Sequence, residues 1–398
     1  MRVVDVVTTV VGAPWRELTF VELVVEDGRR GVGEVRMVNK TDTLVACIAE
    51  LADRYVVGAD PFDRETLAFN IQRAEYARPG EVTQSALAAF DIACWDLIGQ
   101  ELSVPVWKLL GGKYRDRVRA YANGWYQTAA LAESAREVVA RGYTALKLDP
   151  FGSASMRLSP AERRRSIELV AAVRDAVGPD VEIMIEMHGR FAAAVAAEIA
   201  AELEPLAPAW LEEPVPFDVP AGLARVRNAT SRPIATGERI HLLSDFRTII
   251  EQGLVDIVQA DLTHFGGFTG LQRLAGWAEA YELPLAPHNV CGPVGTAANI
   301  HFAVATPNHL VLEHFNDFAD TWVSGLVDAP PAIDPRDGCF PVPTGAGLGI
   351  RLDHDACAEH PRTHAGIFLF SPGWEQREDQ SAAPAVAGFD GPGSPSAT

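Results

Sequence analysis

Three glutamates stand 26 residues apart: Glu186, Glu212 and Glu238. Asp261 follows 23 residues later, His288 another 27 on and Glu313 another 25. Each comes at the end of a short apolar run: "VEIMIE", "PAWLEE", "PIATGE", "DIVQAD", "LPLAPH" and "HLVLEH". Carboxylates brought together repel one another unless a cation lies between them. An all-oxygen ligand set suits Mg²⁺, with Mn²⁺ also possible, better than zinc. In "WLEEP" the ligand is expected to be Glu212, because Glu213 points the opposite way along a strand. Asp261 beside His288 would fix the imidazole tautomer and raise its basicity, a pair suited to removing a proton. His188 stands two residues after Glu186 and would share its face. It is open as a fourth ligand, a structural residue or a general acid opposite His288. Lys147, ending "ALKL", is a candidate second-side base or a partner for a substrate carboxylate. Glu313 is a candidate acceptor for a substrate oxygen.

The interval of 23–27 residues is that of a strand, a helix and short loops, so the period marks repeated βα units and a parallel sheet. Catalytic groups at one end of successive parallel strands fit the C-terminal face of a barrel. Before the repeat, "TFVELVVEDGRRGVGEV" reads as a hairpin turning at Asp27-Gly28. "VTQSALAAFDIACWDLIGQEL" has the apolar spacing of a long helix. A first α+β unit is therefore expected over 1–118, completed by 330–375, with the barrel over 119–329. A disordered tail is expected over 376–398, where the composition is low in complexity.

The chain has 398 residues and a formal net charge of −19, a poor match for nucleic acid or an anionic membrane. Five scattered cysteines without a CxxC pair suggest free thiols in a reducing compartment. No signal peptide and no spanning apolar run is evident. A cytoplasmic protein is expected.

Taken in order, "ALAAFDIACWDLIGQELSVPVWKLLGG", "WLEEP", "TGER", "QAD" and "PHN" resemble the enolase superfamily, in its mandelate-racemase-like branch. That resemblance implies a (β/α)7β TIM-like barrel under an N-terminal α+β capping domain. It implies Mg²⁺ on Glu186, Glu212 and Glu238, a base dyad of Asp261 and His288, and His188 as the acid for a leaving hydroxyl. Lys147 and Glu313 would border the substrate, with Asp149, Arg190 and His314 as further substrate-binding candidates. "KLDPFG" and "IEMHGRF" are most similar to galactonate- and gluconate-type dehydratases. One departure matters. Racemases of the branch carry Lys-x-Lys where this chain has Lys147 and Asp149, and Asp is a weak base. The implied reaction is dehydration of an aldonate to a 2-keto-3-deoxy acid. A racemase, epimerase or cycloisomerase, or a catalytically silent sugar-acid-binding relative, is the alternative. The small sugar acid is the implied partner, and a homo-oligomer is expected. Substrate choice is expected to depend on capping-domain loops, residues 12–20 among them.

Overall fold

The structure is a computed structural model that describes residues 1–127, 130–377 and 380. The tail expected over 376–398 lies outside the described residues except at 376, 377 and 380.

The N-terminal unit opens with three antiparallel strands, β1 (Val3–Gly12), β2 (Glu17–Val25) and β3 (Arg30–Val35), in the order β1-β2-β3. The turn between β2 and β3 uses Gly28 at φ +85°, a left-handed position glycine takes without strain. Helices α1 (Thr41–Leu51), α2 (Arg64–Phe69), α3 (Glu81–Glu101) and the single turn α4 (Val106–Leu109) follow. α3 is buried over most of its circumference because it lies between the small sheet and the barrel. Its close approach to β3 depends on Gly31 and Gly33, where a methyl would overlap the Ala93 and Ala89 carbonyls.

The barrel then alternates: β4 (Arg117–Ala122), α5 (Leu131–Ala140), β5 (Ala145–Leu148), α6 (Pro160–Val177), β6 (Glu182–Glu186), α7 (Ala193–Leu203), β7 (Trp210–Glu212), α8 (Pro220–Arg227), β8 (Ile234–Thr236), α9 (Phe246–Glu251), β9 (Ile257–Val258), α10 (Gly267–Glu279), α11 (Pro293–Ala305) and β10 (Leu312–His314). Neighbouring strands are parallel in the order β10-β4-β5-β6-β7-β8-β9. Between β9 and β10 the wall is completed by Leu285, which makes parallel bridges to Val258 and His309. Seven strand-plus-helix units and a closing strand make a TIM-like (β/α)7β barrel. β11 (Cys339–Pro341) adds antiparallel to β4 before α12 (His354–Glu359).

One layer inside the barrel explains the site. Tyr121, Ala145, Met184, Trp210, Ala235, Ile257, Ala286 and Val311 form an inward-facing apolar plug. Two residues further along most of these strands, on the same face, come Asn123, Lys147, Glu186, Glu212, Gln259, His288 and Glu313. The plug thus holds the polar layer above it in fixed register. Among the described residues no helix is long and apolar enough to cross a membrane, and all five cysteines are free.

Candidate active site

Glu186 and Glu212 are direct cross-strand partners on β6 and β7, and Glu238 lies two residues past β8. One carboxylate oxygen from each can be chosen so that all lie within 4.8 Å of one another. Glu213 turns away: its Oε1 accepts from the Thr236 hydroxyl and from the Gly237 amide at 2.8 Å. The Lys147 ammonium is shared among Glu186 at 3.2 Å, Glu313 at 2.8 Å and Glu212. Burial opposes that charge, but Glu212, Glu313 and Glu186 hold the lysine pKa well above its usual value. Burial pushes Glu212 and Glu186 up; Glu186 adds to the rise at Glu212 and Glu238 to that at Glu186, while the Lys147 charge opposes both. Glu238 goes the other way: burial is outweighed by His288 and Arg239, and its carboxyl falls below the usual range. The donors are all oxygen and clustered, so this trio fits a hard divalent cation such as Mg²⁺ or Mn²⁺.

Two histidine–aspartate pairs reach the same cavity. His288 Nδ1 lies 2.6 Å from Asp261 Oδ2, while the other Asp261 oxygen accepts from the Thr263 amide and hydroxyl, each at 2.7 Å. His288 Nε2 is left facing the site, 3.4 Å from Glu238. Burial disfavours the imidazolium, but Glu238, Asp261 and Glu313 overcome this and raise its pKa to about 9. His188 Nδ1 lies 2.6 Å from Asp149 Oδ2. Burial lowers the His188 pKa, with Asp149 opposing. Asp149 itself stays below its usual range: burial is outweighed by Arg190 and His188. Strand alternation does not place His188. β6 stops at Glu186, and His188 sits in a turn at φ +49° whose amide donates to Glu186 at 2.7 Å.

The cavity, about 640 Å³, is bordered by Lys147, Glu186, His188, Glu238 and His288. Glu212, Asp261, Asp149 and Glu313 lie one layer deeper, in contact with those groups. Glu313 is pinned by Asn123 Nδ2 and the Asn289 amide, each at 2.7 Å. Arg190 and His314 do not border the cavity. Arg190 spends its donors on Asp149 and on the carbonyls of Met187, Gly152 and Ala154. His314 is fully buried, bonded to the Tyr143 hydroxyl at 2.7 Å and packed on Phe340. Asp149 reaches the cavity only through His188.

Several wall residues escaped the sequence reading. Gln259 donates to Glu212 at 2.8 Å, and "QAD" contained it at the right two-residue step from Ile257. His264, bonded through Nδ1 to Ser85 at 2.8 Å, has its pKa lowered to about 4 by burial. Trp15, Arg36, Trp374 and Arg377 also line the cavity. Trp374 stands edge-on to His188 at 5.3 Å between ring centroids, so the segment before the tail covers the site.

Residues 4–111 match the mandelate racemase/muconate lactonizing enzyme N-terminal domain, and residues 130–356 match the enolase C-terminal domain-like family. The chain is 40% identical over 348 residues to a D-gluconate dehydratase from Thermoproteus tenax, covering 86% of this chain and 69% of that one. It is 34% identical over 348 residues to a D-gluconate/D-galactonate dehydratase from Picrophilus torridus, covering 86% and 88%. Among solved structures, a mandelate racemase/muconate lactonizing enzyme from Sulfitobacter sp. superposes with a TM-score of 0.87 at 31% identity, covering 94% and 98%. Matches over both its N-terminal unit and its barrel place the chain: it belongs to the mandelate racemase/muconate lactonizing enzyme family of the enolase superfamily.

Proposed function

We propose that this protein is a divalent-metal-dependent dehydratase of sugar acids, acting on an aldonate such as gluconate or galactonate to give the 2-keto-3-deoxy acid and water. The observation that carries this reading is the pair of His–Asp couples facing one cavity beside a cluster of three glutamates. The dehydratase relatives support it. A hydrogen next to a carboxylate is only weakly acidic, so its removal needs a positioned base and stabilisation of the charge that develops. Glu186, Glu212 and Glu238 would hold a Mg²⁺ or Mn²⁺ ion, which supplies Lewis-acid stabilisation of that charge and offsets the Glu238 charge that raises His288.

The rest falls to the chain's own side chains. Lys147, at the cavity floor, offers its ammonium to the substrate carboxylate. Asp261 accepts a hydrogen bond from His288 Nδ1–H, which holds the tautomer whose free Nε2 takes the C2 proton. Asp149 accepts from His188 Nδ1–H and supports the imidazolium form, whose Nε2–H delivers a proton to the C3 hydroxyl as the C3–O bond breaks. Water leaves, the C2–C3 enol forms, and its hydroxyl proton is replaced by one at C3 when it ketonises. Trp374 and the capping-domain residues Trp15 and Arg36 border the cavity around the bound acid. His288→Asn is expected to abolish both turnover and exchange of the C2 proton in deuterium oxide. His188→Asn is expected to lose turnover by ~10²–10⁴-fold yet keep exchange. Semicarbazide detection of the keto product and NMR of recovered substrate read the two steps separately. Equal exchange in both variants would contradict the roles. Inverted substrate without a ketone signal would favour an epimerase, which two opposed imidazoles could also serve.

A further inference from the structure

Three arginines unused by the proposed reaction converge on one indole. Arg16 lies with Trp15 in the turn between β1 and β2, Arg36 just past β3, and Arg377 in the C-terminal segment. Their guanidinium carbons lie 5.1, 5.9 and 5.6 Å from the Trp15 ring centroid. Arg16 and Arg377 also stand 4.8 and 4.5 Å from the Phe315 ring, which packs on Trp15 at 6.0 Å. Trp15, Arg36 and Arg377 border the cavity that holds Lys147, His188 and His288.

Among the described residues, none of the three has a carboxylate ion-pair partner. Arg16 is 1% exposed, donates Nη1 to the Val290 carbonyl and leaves a buried Nη2 without a partner. Arg36 has a buried Nε without a partner among the described residues. Arg377 donates to the Tyr126 hydroxyl at 3.1 Å and, with the Gln127 amide oxygen turned toward it, to that oxygen at 2.9 and 3.0 Å. Glu34 acts on Arg16 at a distance, but its oxygens are taken by the Gly292 and Gly295 amides, and burial raises its pKa. The crowding is felt: burial, then Arg36, lowers the Arg16 pKa to about 9. Buried charge of one sign is costly to keep unless something neutralises it. Guanidinium forks match the two oxygens of a carboxylate or the oxygens of a phosphate. A neutral hydroxymethyl end would use a fraction of this donor set.

We propose that Arg36 and Arg377 on the cavity wall, with Arg16 buried behind them, bind a second oxyanion at the far end of the substrate, so that the preferred substrate is a dianionic sugar acid. The terminal group is a carboxylate, as in an aldarate, or a phosphate ester, as in a phosphorylated aldonate. This rests on the dehydratase reading and names its substrate class. The first carboxylate sits by Lys147 on the barrel floor, and the chain of hydroxyl-bearing carbons rises toward the capping domain that supplies Arg16 and Arg36.

The test is calorimetric binding with Mg²⁺ to the His288→Asn protein, which holds ligand without turning it over. The ligands are D-gluconate, D-galactonate, D-glucarate, galactarate and 6-phospho-D-gluconate. A dianion is expected to bind roughly 10- to 100-fold tighter than the aldonate of matching configuration, with the margin shrinking at high salt. Whether the aldarates or the phosphate ester show it separates the two sources. Adding Arg36→Gln is expected to remove most of the margin and change aldonate affinity less than about threefold. Arg36→Lys, which keeps the charge, should retain part of it. Equal affinity for dianion and aldonate, or equal weakening of both by Arg36→Gln, would overturn the proposal. If no acid is dehydrated by the unmutated protein, the dehydratase reading fails while the binding comparison still decides on the wall. No binding by any acid counts against both.

Discussion

Asp149 shows what one residue becomes when its neighbours are known. Read along the chain, it stands where a racemase would carry a lysine, and it looks like a weakened base. Across the barrel wall it is the partner of His188, at 2.6 Å, braced by Arg190 and by the Phe151 amide at 2.9 Å. No pattern within β5 announces this, because the contact joins residues 39 apart through a turn. By contrast, the choice of Glu212 over Glu213 follows from strand alternation alone, and the inward plug residue Trp210 fixes the same face. Asp149→Asn presents an amide to His188 and leaves the buried Arg190 without its counter-charge. Turnover is expected to fall by ~10²–10⁴-fold, with C2 exchange retained because His288 and Asp261 are untouched. Stability is expected to drop by ~3–5 kcal/mol. Denaturant titration run beside exchange and turnover separates the effects, and unchanged turnover would remove Asp149 from its positioning role.

At the level of elements, the long helix α3 and the β2–β3 turn at Gly28 were legible because each rests on a local signal: apolar spacing in one, an Asp-Gly turn in the other. The strand ending at His288 was legible only as "LPLAPH" and survives as isolated bridges at Leu285. There the barrel closes by neighbours' demand rather than by its own hydrogen-bond ladder. The segment ending in Arg377 reads as tail by composition, yet packs on Phe315 and Tyr126, residues more than 60 positions away that no local window includes. Glycines separate packing from propensity. A methyl at Gly33 would overlap the Ala89 carbonyl, backbone against backbone, where no flexible side chain can yield. Gly276 sits inside α10 with nothing within 4 Å of such a methyl. Gly33→Ala is expected to cost ~1–3 kcal/mol or more, while Gly276→Ala should gain ~0.5–1 kcal/mol. Thermal melts of both proteins read the opposite signs, and a shared sign would mean that α3 and β3 do not approach as closely as described.

For the whole molecule, a net charge of −19 says which partners to discard and nothing about the cavity, whose wall gathers Lys147, Arg36, Arg239 and Arg377. Where charge is buried decides more than its sum, and the response to acid shows it. His309 is 7% exposed beyond α11, and its Nε2 has no partner among the described residues. Burial, then the Arg115 charge, lowers its pKa to about 3. Unfolded, the same ring takes a proton near pH ~6.5. The unfolded chain therefore binds the extra proton first, and stability is lost as pH falls from ~6.5 toward 3. Asp91 and Asp96, raised to about 6 by burial, work in the other direction: the folded state holds their protons first and gains stability as pH falls through 6. The net slope therefore mixes opposing groups, and only a difference between proteins isolates one of them. His309→Gln removes the histidine from both states and leaves the aspartates in place. Between pH 7 and 5 the unmutated protein is expected to lose roughly 1–2 kcal/mol more than the variant. Urea titrations of both proteins at the two pH values measure that difference. Parallel losses would show that His309 is reached by water and titrates in the folded chain much as it does in the unfolded one.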